Sequence, residues 1–126
     1  MSAKILIVED SRSMRRIVRA ALEQDGHQVA ESEDGRQALA ALREVTPELI
    51  ITDINMPEVD GISLVREIRR LPAFRFTPVI ILTTESGDDA KENGRAAGAT
   101  GWIVKPFDPD RLRHVVAQVL GTRGVA

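Results

Sequence analysis

An open, doubly wound α/β sheet of five parallel strands is the fold class this sequence predicts, and three observations lead to it. Four short runs are almost wholly aliphatic: Ile5-Leu6-Ile7-Val8, Leu49-Ile50-Ile51, Val79-Ile80-Ile81-Leu82, and Ile103-Val104 with Trp102 before it. Apolar runs without alternation are what strands buried on both faces of a parallel sheet look like. Segments with helical periodicity lie between them, so strand and helix alternate along the chain. Length is the third observation: 126 residues divided by five is about 25 per unit, enough for a strand, a crossover helix and short loops. A closed barrel of eight such units would need ~250 residues.

The elements follow in order. After the first run, Met14, Ile17, Val18, Ala21 and Leu22 fall at i, i+3, i+4, i+7 and i+8, one apolar stripe of a helix. Asp10 or Ser11 can cap it and Asp25-Gly26 can end it. The alternating Gln28-Val29-Ala30-Glu31-Ser32 suits an edge strand. Ala38, Ala41, Leu42 and Val45 make a smaller stripe before the run at Leu49, and Leu64, Val65, Ile68 and Leu71 make another after it. The stretch 88–97 is the least regular helix, because its apolar residues are mostly alanine and Gly94 interrupts it at a cost of about 1 kcal/mol relative to Ala. Leu112, Val115, Val116, Val119 and Leu120 repeat the first stripe's spacing behind Pro109, a good first helical residue. Residues 121–126 read as a tail. The pattern is (βα)5, flavodoxin-like, with the strand order 2-1-3-4-5, in a single domain spanning 1–126.

Lys and Arg number 17 against 19 Asp and Glu, a formal charge of −2, and no long run of either sign occurs. That argues against a nucleic-acid arm or a polybasic membrane anchor, so neither nucleic acid nor membrane is expected as a partner. The absence of cysteine excludes disulfides, a thiolate metal site and a cysteine nucleophile. With no secretory h-region and no apolar run near the ~20 residues of a span, a cytoplasmic location is expected. Aromatic residues are few: Phe74, Phe76, Phe107 and a single tryptophan, Trp102.

In open α/β sheets ligands bind beyond the carboxyl ends of the strands, where the strand order reverses. The residues that follow the apolar runs are Glu9-Asp10, Asp53, Thr83-Thr84 and Lys105-Pro106. Three acids, two hydroxyls and one amine therefore share one edge. Carboxylates so close repel one another unless protonated or joined by a cation. All-oxygen ligands suit Mg²⁺, which keeps waters and usually touches phosphate. A carboxylate can attack phosphorus to give an aspartyl phosphate, while an ammonium, hydroxyls and a divalent ion stabilise the transferring group. Asp53 ends the strand expected at the sheet centre and is the best-placed nucleophile, whereas adjacent Glu9 and Asp10 suit the metal. No Gly-rich phosphate loop, G-x-S-x-G elbow or H-E-x-x-H competes with this set.

These residues resemble the receiver domain of two-component response regulators, most closely the single-domain chemotaxis (CheY-like) type. The resemblance covers residues 3–120. It rests on Val8-Glu9-Asp10-Ser11, Met14-Arg15-Arg16-Ile17-Val18-Arg19, Thr52-Asp53-Ile54-Asn55-Met56-Pro57 with Asp60-Gly61, Leu82-Thr83-Thr84-Glu85, and Gly101-Trp102-Ile103-Val104-Lys105-Pro106-Phe107. Five such motifs in order are very specific.

The resemblance implies that Asp53 accepts a phosphoryl group from a histidine kinase or a histidine phosphotransfer protein. It implies that Asp10, Asp53 and the Asn55 backbone carbonyl ligate Mg²⁺, with Glu9 acting through a coordinated water. Thr83 would hydrogen-bond the phosphoryl group, Lys105 would pair with it, and Lys105-Pro106 would be cis. Thr83 and Trp102 would form the switch, and Asn55 and Glu85 would tune hydrolysis. Two positions depart from the common pattern: Glu9 stands where Asp is more frequent, and Trp102 where chemotaxis regulators carry tyrosine.

The expected function is thus a stand-alone, monomeric response regulator with no output domain, catalysing only its own phosphorylation and dephosphorylation. Its expected output is chemotaxis or flagellar motor control, through a target on the face of the fourth helix, fifth strand and fifth helix. A phosphorelay shuttle or a cell-cycle or developmental regulator is the alternative within the class. A Mg²⁺-dependent phosphohydrolase usually needs a general acid two residues after its nucleophile, where Asn55 stands, and a cap domain for which the chain is too short. A pseudo-receiver scaffold would have lost the acid or the lysine, and both are present. Arg15, Arg16 and Arg19 are expected to face solvent, His27 to lie in a turn and His114 on a helix flank.

Overall fold

The computed structural model describes residues 2–56 and 59–123. Along them run β1 (Lys4–Val8), α1 (Arg12–Gln24), β2 (Gln28–Ser32), α2 (Gly35–Ala41), β3 (Leu49–Thr52), α3 (Gly61–Arg70), β4 (Val79–Thr83), α4 (Asp88–Ala97), β5 (Gly101–Val104) and α5 (Pro109–Arg123), with a 3-10 turn at Pro72–Phe74 after α3. The strands form one sheet in the order β2-β1-β3-β4-β5, every pair parallel. The order and direction are those the sequence predicts. Because β1 pairs with both β2 and β3, the chain first builds outward on one side and then on the other. A crevice opens above the carboxyl ends of β1 and β3.

Alternate strand residues feed two cores, which is why the runs show no polar face. Ile5, Ile7, Ile51, Ile80, Leu82 and Ile103 pack with Val18 and Leu22 of α1 and Leu112 and Val116 of α5. Leu6, Val8, Ile50, Val79 and Ile81 pack with Ala38 of α2 and Leu64, Val65 and Ile68 of α3. Each fully buried aliphatic side chain stabilises the fold by about 1.5–3 kcal/mol. Arg69 of α3 closes the far end, donating to the carbonyls of Phe74 at 2.9 Å, Thr77 at 2.6 Å and Gly98 at 2.8 Å.

Helix starts are set by short polar side chains: Ser11 accepts from the Met14 N–H at 3.3 Å, Asp34 from Gln37 at 2.8 Å and Asp60 from Ser63 at 2.9 Å. Ser11 is thus the cap of α1, so the neighbouring Asp10 carboxylate is not consumed in capping. Gly26, at φ 83°, supplies the left-handed turn after α1.

Three helical expectations change. Ile17 is 45% exposed, so the buried stripe of α1 is carried by Met14, Val18, Ala21 and Leu22. Leu71 caps the C-terminus of α3 and is exposed rather than packed. Residues 121–123 continue α5 instead of forming a tail: backbone hydrogen bonds propagate a helix past its apolar stripe, and one glycine costs only about 1 kcal/mol.

His27 is buried rather than sitting in an open turn, and its Nδ1 accepts the Ala3 N–H at 3.0 Å. That bond needs a neutral ring with its proton on Nε2. Burial holds the imidazole below its usual value against the pull of Asp25 and Glu48. A depressed histidine contributes stability above its unfolded value of about 6.5 and loses it as pH falls toward the folded value. Stability measured by urea unfolding is therefore expected to decline on acidification through this window. A His27→Asn protein, whose amide oxygen can accept the same bond, should show a shallower decline; an equal slope would remove His27 from the account.

Candidate functional site

The sheet register sets the crevice. Val8 of β1 lies beside Thr52 of β3, and Thr83 of β4 beside Val104 of β5, so the next residues, Glu9, Asp53 and Lys105, emerge together. Ligand oxygens of Glu9, Asp10 and Asp53 all lie within 4.8 Å of one another. Glu9 and Asp53 are buried, at 3% and 8% exposure, while Asp10 is open to solvent.

Each buried carboxylate is held on both oxygens. Asp53 Oδ1 accepts the N–H groups of Ile54 at 2.6 Å and Asn55 at 3.2 Å, and Oδ2 accepts from Lys105 Nζ at 2.8 Å. Glu9 Oε2 accepts the Ser11 N–H at 3.0 Å, and Oε1 accepts from the same Lys105 ammonium at 2.5 Å. Lys105 therefore bridges the two acids that the chain separates most widely. The extra methylene of Glu9 relative to aspartate gives the carboxylate more reach toward that ammonium. Burial is the main force raising the Glu9 carboxyl, opposed by Lys105 and the Ser11 N–H and aided by Asp10. Burial alone would lower Lys105, but its bonds to Asp53 and Glu9 and their charges prevail and raise it. One ammonium for three carboxylates leaves an excess of negative charge in a half-dry site.

Thr83 is fully buried at the end of β4, and its Oγ1 accepts the Glu85 N–H at 3.3 Å. Its own hydroxyl proton is the part that can be offered to an incoming oxygen. Lys105 N–H donates to the Thr83 carbonyl at 2.7 Å, which keeps the two side chains at one edge. The Lys105–Pro106 peptide bond is cis. Trp102 is half-buried on β5, and its indole Nε1 donates to the Glu85 carbonyl at 3.0 Å. Thr83 and Trp102 thus meet through opposite sides of one residue, Glu85, whose side chain is exposed. The ring lies flush on α4: a Cβ at Gly94 would stand 2.6 Å from Trp102 Cζ3. The glycine that weakens α4 in isolation is what lets the tryptophan pack.

Of the site residues read from the sequence, Glu9, Asp10, Asp53, Thr83 and Lys105 come together in the crevice. Asn55 borders it, exposed, with its N–H on Asp53. Glu85 and Trp102 lie on the β4–β5 side. Pro57 of the Asp53 motif lies outside the described residues.

Sequence reasoning placed Arg15 in solvent, and the fold corrects this. Arg15 is 9% exposed and donates to the Glu9 carbonyl at 2.7 Å and to Glu31 at 3.1 Å. The helical spacing held the signal, since Ser11, Arg15, Val18 and Leu22 follow one inward line. Arg19 also turns toward β2, pairing with Glu31 and with Glu23, whereas Arg16 and His114 are exposed.

Comparison with known proteins supplies the family. The response regulator receiver domain matches residues 5–117. This chain belongs to that family. Among curated receiver proteins, chemotaxis protein CheY1 of Helicobacter pylori is 40% identical over 121 residues, covering 94% of this chain and 98% of its own length. The solved structure of the chemotaxis response regulator CheY4 of Vibrio cholerae superposes with a TM-score of 0.90 at 41% identity, covering 94% of this chain and 99% of that one. A receiver domain of a sensor histidine kinase from Pseudomonas aeruginosa, solved with a magnesium ion coordinated in its active site cleft, gives 0.88 at 30% identity over 96% of this chain and 99% of that one. Receiver domains are signalling modules, and among the described residues no helix is long and apolar enough to cross a membrane.

Proposed function

We propose that this receiver domain, residues 1–126, takes a phosphoryl group onto Asp53 and thereby switches its binding to a protein partner. The observation that carries this is the double fixing of the Asp53 carboxylate, with two backbone N–H groups on one oxygen and Lys105 on the other. An aligned, buried carboxylate beside an ammonium is a nucleophile with its counter-charge in place. A carboxylate oxygen forms the new O–P bond while the N–P bond of a phosphohistidine breaks. The electron pair leaves on the imidazole nitrogen of a histidine kinase or histidine phosphotransfer protein. Lys105 then pairs with a phosphoryl oxygen and Thr83 donates its hydroxyl proton to another.

The donor set fits Mg²⁺: three carboxylates within 4.8 Å, two of them sharing the single positive charge of Lys105, are hard oxygen ligands suited to a hard cation. Asp10, Asp53 and the Asn55 carbonyl would hold it directly and Glu9 through water. When bound, Mg²⁺ would offset negative charge on the acids and on the phosphoryl group. Asn55 and Glu85, two residues beyond Asp53 and Thr83, stand where access of water to the acyl phosphate would be set. The domain in this reading catalyses only its own phosphorylation and dephosphorylation.

Drawing Thr83 toward the phosphoryl group would pull on the Glu85 backbone, whose N–H bonds Thr83 and whose carbonyl accepts the Trp102 indole. Trp102 and the surface of α4, β5 and α5 would change together, a population shift biased by new charge-assisted bonds. The names of similar relatives, chemotaxis proteins of Helicobacter pylori and Campylobacter jejuni, support a chemotaxis output, and in this reading the target is a flagellar switch and the location cytoplasmic.

Acetyl phosphate with Mg²⁺ is expected to add one phosphoryl group, read by intact mass, and to change Trp102 fluorescence. An Asp53→Asn protein should show neither. Equal labelling of that variant would overturn the assignment.

A further inference from the structure

We infer that Arg15 is the positioning residue that aims the Glu9-Asp10 acids, acting from behind the crevice through a backbone carbonyl. The inference rests on the reading that these acids and Asp53 hold Mg²⁺.

Arg15 is a buried guanidinium whose fork spans three elements. Nη1 donates to the Glu9 carbonyl at 2.7 Å, Nε donates to Glu31 Oε1 on β2 at 3.1 Å, and Nη2 lies 3.8 Å from Glu33 Oε1 just beyond β2. The Glu9 carbonyl belongs to the peptide plane that joins Glu9 to Asp10. A peptide is planar, so holding its oxygen fixes the direction in which Asp10 leaves the strand. The other side of Glu9 is held too, because its N–H donates to the Ser32 carbonyl at 3.0 Å. Asp10 is solvent-exposed and gains little from packing, which leaves its backbone as the main determinant of where its carboxylate stands. Glu31 and Glu33 supply the charge that keeps a buried arginine in place, and only a planar fork can serve a carbonyl and two acids at once. Arg15 touches no reacting atom; it acts through Glu9.

Magnesium binding by calorimetry on the full chain tests this. Arg15→Met keeps an unbranched stem without a donor, and its Mg²⁺ affinity is expected to fall about tenfold or more, the usual effect of removing a group that orients ligands. Arg15→Lys, which can still reach one acceptor, should recover part of the loss. Arg113→Ala breaks a different, half-exposed pair, that with Asp25 at 2.7 Å, and should lower thermal stability while leaving Mg²⁺ affinity unchanged. Should Arg15→Met not fold, Arg15→Gln must also bind Mg²⁺ more weakly. An Arg15→Met or Arg15→Gln protein that is folded and binds Mg²⁺ as the wild type does overturns the inference alone. A wild-type chain that binds no Mg²⁺ overturns the metal reading, and the inference with it.

Discussion

A Gly61→Ala protein is expected to lose about 3 kcal/mol of stability or more, from the smallest possible side-chain addition. Gly61 opens α3 directly beneath the loop that follows Asp53, and its N–H donates to the Ile54 carbonyl at 2.8 Å. A Cβ there would stand 2.1 Å from the Asp53 carbonyl oxygen and 2.7 Å from Ile54 Cα. Both obstacles are backbone, so no side-chain rotation relieves them. The loop must lift, and the Ile54 and Asn55 N–H groups that clamp Asp53 Oδ1 must lift with it. Thermal unfolding should show a fall in Tm on the order of 10 °C, accompanied by slower labelling with acetyl phosphate. Gly121→Ala is the control, since beyond its chain neighbours and its own helix backbone nothing lies within 4 Å of its added carbon; its stability should stay level or rise slightly. Equal behaviour of the two variants would show that the close approach at Gly61 carries no weight.

Replacing Lys105 by methionine keeps the unbranched stem of the side chain and removes the cation that joins Glu9 to Asp53. Both acids are buried, and removing one partner of a buried pair typically costs on the order of 3 kcal/mol. The loss has a pH signature. Glu9 is already raised by burial, and Lys105 is the first of the groups that hold it back. Without the ammonium it rises further. A carboxyl raised in the folded state disfavours folding at neutral pH and ceases to do so as pH falls toward the unfolded value of about 4.3. The stability gap between Lys105→Met and wild type should therefore narrow on acidification. Mg²⁺ should raise the Tm of the variant more than that of the wild type, because no ammonium competes for Glu9 and Asp53. Phosphoryl uptake should nevertheless fall by roughly a hundredfold or more, the usual cost of deleting one charge-stabilising donor. A variant that labels normally would exclude Lys105 from phosphoryl transfer. A gap that does not change with pH would exclude uncompensated Glu9 charge as the cause of the lost stability.

The surface outside the crevice shows why patterning alone is an incomplete guide. Phe76 is 87% exposed, with the Arg75 guanidinium 5.9 Å over its ring, while Phe74, two residues earlier, is buried in the core beside α3. Both phenylalanines look the same in sequence. The 3-10 turn at Pro72–Phe74 separates them by turning one inward and the other out, and its geometry depends on Arg69 reaching the Phe74 and Thr77 carbonyls.

The fold and most of the site were legible in the amino-acid sequence for a common reason: both are written in short-range terms. Apolar runs near the length of a strand, stripes at helical spacing and polar residues immediately after each run are local, and the topology of a doubly wound sheet carries those run-ends to one edge. Glu9, Asp10, Asp53, Thr83 and Lys105 therefore follow from the order of residues alone. What only the tertiary structure decided depends on contacts across the chain. Lys105 clamps Glu9, 96 positions away along the chain, as well as Asp53, 52 positions away. Arg15 turns inward to a carbonyl instead of outward to water. Gly94 is required not by its helix but by the face of Trp102, and Gly61 not by its turn but by the backbone it touches. Sequence determines which groups are available and on which edge they emerge. Close packing, in which a single carbon added at Gly61 would stand 2.1 Å from backbone, determines which of them are held in place and by what.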